Sequence, residues 1–233
     1  MPIGTTSFGF HCLLIDARGA PPLGNLVGRT KSYGLDSLQI CENARPLELS
    51  AAGWREVLDR AAAIGLDIQL GCMTLDVATI ERYLVRAATP RLDSAEIALA
   101  IENHFDIPCT LLAEVAAQCP PALVGFCVDS ANSLRNFQSA DQVLDWPVPR
   151  AIRYHLKDCK VTGGNVGLRV DGAPLGQSGL AVRAILERVL ARDPSAAIYL
   201  ENWVQPSGDR QTDVDADCRW LQQSLDYFRK VAA

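Results

Sequence analysis

Four strand-like apolar runs in this chain each finish on a metal-ligating or acid/base side chain. They are Ile97-Ala98-Leu99-Ala100-Ile101-Glu102-Asn103-His104, Val124-Gly125-Phe126-Cys127-Val128-Asp129, Ile152-Arg153-Tyr154-His155-Leu156-Lys157-Asp158 and Ala197-Ile198-Tyr199-Leu200-Glu201-Asn202. Side chains this far apart in sequence meet when parallel strands converge at their C-terminal ends. That demand constrains the fold more than any other feature.

The remaining pattern agrees with it. Strand candidates fall at 2–8, 35–41, 67–72, 97–102, 123–129, 151–156 and 197–201, short and apolar, as expected of strands buried on both faces. Amphipathic segments alternate with them: 50–64 behind a Ser50 cap and before Gly65, 77–88 behind Asp76, 109–118, 133–145, 180–191 and 213–231. Strand–helix alternation predicts an α/β fold with a parallel sheet. No Gly-x-Gly-x-x-Gly follows the first strand, which weakens a dinucleotide-binding sheet. Polar groups at several strand ends favour a TIM-type (β/α) barrel. The chain reads as one domain, 1–233, with no evident linker. Seven strands are recognisable where a full barrel has about eight. The shortfall lies between the helix ending near Ala88 and the strand starting near Ile97, where no further strand and helix can fit.

Composition narrows the function. The 233 residues are 48% hydrophobic, enough for a real core, and no apolar run is long enough to span a bilayer. A net charge of −5 argues against nucleic acid as partner. The N-terminus lacks a basic region followed by an apolar stretch, and the eight cysteines contain no Cys-x-x-Cys pair. A cytoplasmic protein with reduced thiols is expected.

Glu102, Asp129, His155 and Glu201 form a mixed oxygen and nitrogen donor set. It suits one divalent ion, Mn²⁺, Mg²⁺ or Co²⁺ with Zn²⁺ also compatible, and contains no thiolate of the kind a structural zinc site uses. Such an ion polarises a carbonyl and stabilises an enediolate while a proton leaves the neighbouring carbon. Glu102 and Glu201 can then flank the carbon as acid and base. His104 and Lys157 are candidates for holding substrate oxygens, and Trp203, Phe8, Phe10 and His11 for an apolar wall. Plainer readings stand beside these: Asp129 as a helix cap, Lys157 paired with Asp158 or Glu201, and the two Phe residues as core. Residues 169–179, with Gly172, Gly176 and Gly179, read as a flexible loop.

Glu102-Asn103-His104, Asp129, His155-Leu156-Lys157-Asp158 and Glu201-Asn202 together resemble the xylose isomerase-like barrel superfamily, the sugar phosphate isomerase/epimerase group. The resemblance runs from about Gly34 to Trp203. It implies that Glu102, Asp129, His155 and Glu201 bind one divalent metal and that the two Glu residues are the acid/base pair. It also implies a small sugar-like substrate, with a homo-oligomer compatible. Two positions depart from the ketose 3-epimerases: Asn132 stands where they carry a substrate-binding His, and Val161 where they carry an Arg. The His-Leu-Lys-Asp segment is closer to the inosose dehydratase branch. In this resemblance Ala87 to Ser94 replaces a missing strand and helix. The leading expectation is a metal-dependent sugar or hydroxyketone isomerase/epimerase. The alternatives are a metal-dependent lyase or dehydratase and a non-catalytic barrel subunit. A repair endonuclease on the same barrel needs a His-rich metal cluster, and this chain has three histidines.

Overall fold

A computed structural model describes residues 1–14, 23–74, 76–88, 98–105, 107–120, 122–146 and 151–232. Seven parallel strands form one curled sheet: β1 (Ile3–Thr6), β2 (Ser37–Ile40), β3 (Asp67–Leu70), β4 (Leu99–Glu102), β5 (Val124–Asp129), β6 (Ala151–Leu156) and, last in the chain, β9 (Ile198–Leu200). Their spatial order is β3-β2-β1-β9-β6-β5-β4. The first strand therefore pairs with both the second and the last, which is how a barrel closes; a doubly wound sheet has no such pairing.

The order is cyclic except between β3 and β4, which share no ladder. That is the seam where the sequence lacks a strand and helix. The first residue expected of the fourth strand, Ile97, and most of the bridging segment from Ala87 to Ser94 lie outside the described residues. The seam leaves a mark on burial. All residues of β1 and β2 are buried, whereas β3 and β4 are exposed or half-buried along their length.

Helices cover the outer face: α1 (His11–Leu14), α2 (Leu23–Ser32), α3 (Ala51–Ala63), α4 (Val77–Ala88), α5 (Cys109–Ala116), α6 (Ala140–Asp145), α7 (Val182–Arg192) and α8 (Arg210–Val231). Alternation along each strand sends one set of side chains into this outer layer. Leu38, Ile40, Val128, Tyr154, Leu156, Ile198 and Leu200 meet Leu26, Trp54, Ile185, Leu186, Leu221 and Leu225 in one continuous core. The opposite set faces the barrel interior and carries the polar groups. No helix among the described residues is long and apolar enough to cross a membrane.

Two local expectations need correction. Residues 168–173 are not a loop: β8 (Leu168–Ala173) pairs antiparallel with β7 (Asp158–Gly163) in a separate hairpin. Glycine-rich composition concealed a strand that the partner ladder stabilises. The helix expected over 133–145 is a 3-10 turn at Asn132–Asn136 followed by α6, whose Ser139 and Gln142 form a reciprocal cap. Helices α1 and α2 had no strong periodic signal; α1 is held from outside, by the Asp217 carboxylate accepting the Cys12 N–H at 2.6 Å.

Candidate metal centre at the strand ends

Each candidate ligand arrives on the inward side of its strand. Strand β5 presents Cys127 and Asp129, β6 presents Arg153 and His155 with Lys157 just beyond, and β9 leads to Glu201. Ladder register places Asp129 level with His155, and His155 level with Tyr199. Around His155 Nδ1 lie Glu201 Oε2 at 3.3 Å, Glu102 Oε2 at 3.4 Å and Asp129 Oδ2 at 3.9 Å. Three carboxylates from three other strand ends thus surround a single imidazole nitrogen.

Asp129 serves two purposes, one per oxygen. Its Oδ1 accepts the N–H groups of Ala131 and Asn132 at 2.8 and 2.7 Å and so caps the following turn. Its Oδ2 faces the site. Asn103 locks this arrangement from behind: its Oδ1 accepts the Asp129 N–H at 2.6 Å, and its Nδ2 donates to the Asp129 carbonyl at 2.9 Å.

Lys157 ties the carboxylates together. Its Nζ lies 2.7 Å from Glu201 Oε1, 3.0 Å from Asp129 Oδ2 and 3.0 Å from Asn132 Oδ1. The neighbouring Asp158, the other partner considered for Lys157, turns away to accept the Cys159 and Gly176 N–H groups and the Ser178 hydroxyl. Asn132 Nδ2 donates to Glu102 Oε1 at 2.8 Å.

The field inside this cluster is strong because the groups are buried. Burial works against a charged Glu102, but the His155 imidazole and the Lys157 ammonium outweigh it and bring the carboxyl down to about 2. Burial pushes Asp129 up, and the negative charges of Glu102 and Glu201 add to the push against the pull of Lys157. His155 and Lys157 are both held above their ordinary values, with surrounding anions overcoming the burial that would lower them.

These residues fit a divalent cation. Both ring nitrogens of His155 are buried with no hydrogen-bond partner among the described residues, an arrangement that costs free energy unless something occupies it. Donors around an ion bound at about 2.0–2.2 Å stand about 3–3.5 Å apart, close to the spacings around Nδ1. The structure also adds a donor that the sequence reading left out. Glu102, Cys127 and His155 each offer a ligand atom within 4.8 Å of the others. Strand alternation was the available signal, since Cys127 stands two residues before Asp129 on the same face. All eight cysteines are free.

His11, His104, Asn132, Lys157 and Trp203, the substrate-binding candidates, line the same cleft as Glu102, Cys127, His155 and Glu201. Trp203 sits beneath Lys157, whose Nζ is 4.8 Å from the indole centre. Phe105, not foreseen, bridges Trp203 at 5.2 Å and His104 at 4.4 Å. His11 packs against Phe8 at 5.7 Å, whereas Phe10 is fully buried and belongs to the core. The cleft has a volume of about 2070 Å³, well above the about 300–1,000 Å³ usual for a ligand pocket. Leu99, Leu111 and Val115 line this cleft and are exposed.

Comparison with known proteins places the fold. No family model matches the chain. A D-psicose 3-epimerase solved in the presence of D-fructose superposes with a TM-score of 0.69 at 14% identity, covering 99% of both chains. A xylose isomerase-like TIM barrel protein from Mycobacterium smegmatis, in complex with magnesium, superposes with a TM-score of 0.53 at 13% identity, covering 97% of both chains. The fold is that of a xylose isomerase-like barrel. Among curated proteins, a 3-oxo-isoapionate decarboxylase from Pectobacterium atrosepticum is 23% identical over 263 residues, covering 98% of this chain and 95% of its own length.

Proposed function

We propose that this protein is a divalent-metal-dependent isomerase or epimerase of a sugar or hydroxyketone, moving a proton through an enediolate. The observation that carries the reading is the convergence of Glu102, Asp129 and Glu201 on His155 Nδ1 at 3.3–3.9 Å. The fold-level likeness to a D-psicose 3-epimerase supports it.

Glu102, Asp129, His155 and Glu201 would hold the ion, and their oxygen and nitrogen donors suit Mn²⁺, Mg²⁺ or Co²⁺, with Zn²⁺ also compatible. When bound, the ion supplies Lewis-acid polarisation of the substrate carbonyl. One of the two glutamates takes the proton from the carbon beside that carbonyl, and the other returns one from the far side. Asn132 orients Glu102 through its 2.8 Å hydrogen bond. Lys157 places positive charge where the enediolate oxygens develop negative charge. Trp203 and Phe105 shield one wall from water; His11 and His104 line the rest.

A second reading is favoured by the decarboxylase relative. A lyase needs the same electron sink: a decarboxylase fills it by losing carbon dioxide in place of a proton, and a dehydratase removes the proton and then expels a β-hydroxyl as water. The close approach of the donors speaks against a non-catalytic subunit. Incubating the Mn²⁺-loaded protein with ketoses in deuterium oxide separates these readings. Deuterium entry at the carbon beside the carbonyl, with the carbon skeleton retained, supports the epimerase. Loss of water or carbon dioxide supports the lyase, and no reaction with any substrate supports neither.

A further inference from the structure

The barrel interior beneath the metal donors is polar. Inward positions of this layer usually carry bulky apolar residues; here they are Ser37 and Gln39 on β2, Gln69 on β3, Cys127 on β5, Arg153 on β6 and Tyr199 on β9. Gln39 Oε1, Gln69 Oε1 and Arg153 Nε are buried without a hydrogen-bond partner. Gln39, Gln69 and Arg153 line the same continuous cleft as His155, Lys157 and Glu201. A chamber of unpaired donors and acceptors opening from a metal centre requires polar content.

Arg153 stands out within it. The side chain is half-buried, and among the described residues it forms no ion pair and no hydrogen bond. Its guanidinium lies 5.6 Å from the centre of the Tyr199 ring, which fixes the plane while leaving the fork of donors open. Arg153 is two residues before His155 on the same face, about 7 Å along the strand. Glu102, Asp129 and Glu201 are all committed to His155, Lys157 or Asn132. A guanidinium whose Nε is buried with no counter-ion among the described residues is costly to keep, so the site suits an anion supplied from outside.

We propose that Arg153 forms a carboxylate-binding subsite, and that the substrate is a short polyhydroxylated oxo acid rather than a neutral ketose. This deepens the proposed function and rests on it, since the carbonyl end of the acid is placed at the metal donors. The carboxylate takes a bidentate pair of hydrogen bonds from the guanidinium. Hydroxyl groups of the chain donate to Gln39 and Gln69, whose carbonyl oxygens lack partners. Of the other cations lining the cleft, Lys157 is paired with Glu201 and Asp129 and Arg135 stacks on Phe105, so a single guanidinium fork is offered here, which matches a singly charged carboxylate better than a phosphate dianion.

Calorimetric titration with L-threonate, its neutral counterpart L-threitol and inorganic phosphate tests the subsite. It is run on metal-free and Mn²⁺-loaded protein. The wild type is expected to bind L-threonate at least about tenfold more tightly than L-threitol in both states, a gap of about 1.4 kcal/mol. Arg153→Met should erase that gap while leaving Mn²⁺ stoichiometry and L-threitol affinity unchanged. Arg153→Lys, which keeps the charge but loses the fork, should retain part of it and carries the test if the Met variant does not fold. Equal affinity for L-threonate and L-threitol in the wild type, or an unchanged preference in both variants, would overturn the subsite. Phosphate binding more tightly than L-threonate would overturn the carboxylate assignment. Absence of Mn²⁺ binding strikes the metal reading alone, because the metal-free titrations still report on Arg153.

Discussion

The ammonium of Lys157 stands 2.7 Å from a carboxylate oxygen of Glu201, and both groups are buried. Lys157 also reaches Asp129. In the metal-free protein it is therefore the main positive charge holding two of the candidate ligands in place.

Replacing Lys157 with Met should leave Asp129 and Glu201 buried and uncompensated, at a cost of about 3–5 kcal/mol. A divalent ion would take over that role. Thermal melts with and without Mn²⁺ should therefore show a larger metal-induced rise for Lys157→Met than for the wild type. Equal rises would separate Lys157 from the metal site.

Glu102→Gln keeps the side chain's shape and its contact with Asn132 while removing the charge and the basic oxygen. Exchange of substrate hydrogen with solvent, followed by NMR, is expected to slow by about 10²–10⁴-fold. The melting temperature of the metal-free variant should fall, because the charge lost is one that His155 and Lys157 stabilise by more than burial opposes it. An exchange rate close to wild type would remove Glu102 from the acid/base pair.

Gly172 lies where the β7–β8 hairpin crosses Trp203, and a Cβ there would run into the Trp203 carbonyl and side chain. Gly172→Ala must push the hairpin and the indole apart, costing about 1–3 kcal/mol. Because Trp203 faces Lys157, KM should rise more than kcat falls. A steady-state comparison with the wild type reads this split, and unchanged KM would place Trp203 outside the substrate wall.

Asp217 on α8 supports α1 through the Cys12 and Leu13 N–H groups, at 2.6 and 3.4 Å. Burial pushes its carboxyl up to about 6; the two N–H groups pull back, and Asp213 adds repulsion. In the unfolded chain it titrates near the ordinary value of about 3.9. Between these values the folded state binds the proton more tightly, so Asp217 contributes stability that grows as pH falls from about 6 towards 4 and is lost above. Denaturant melts of the wild type and Asp217→Asn across this range should show the acid-side gain only in the wild type. Parallel pH profiles would contradict it.

Much of the fold was legible because parallel strands of a barrel carry two signals at once, an apolar run and a polar terminus. All seven strands and the place of the seam follow from that. The hairpin at 158–173 was hidden because its stability comes from pairing outside the main sheet, with exposed Leu168 and Val170 in place of a buried alternation. The grouping of Glu102, Asp129, His155 and Glu201 was readable from strand ends alone. Cys127 and Arg153 were not, although each lies two residues before a recognised residue. Reading inward faces at i−2 rather than strand termini would have exposed both. Asn103, grouped with the site by its neighbours, instead positions Asp129 through paired backbone contacts that no single sequence displays.

The central claim is that one divalent ion binds among Glu102, Asp129, His155 and Glu201. Titrating the metal-free protein with Mn²⁺ and counting free ion by electron paramagnetic resonance tests it most directly, with Glu201→Ala alongside. One tightly held ion per chain, with affinity lowered at least about a hundredfold in the variant, is the result predicted. No bound ion in the wild type, or the same affinity without Glu201, would contradict the account.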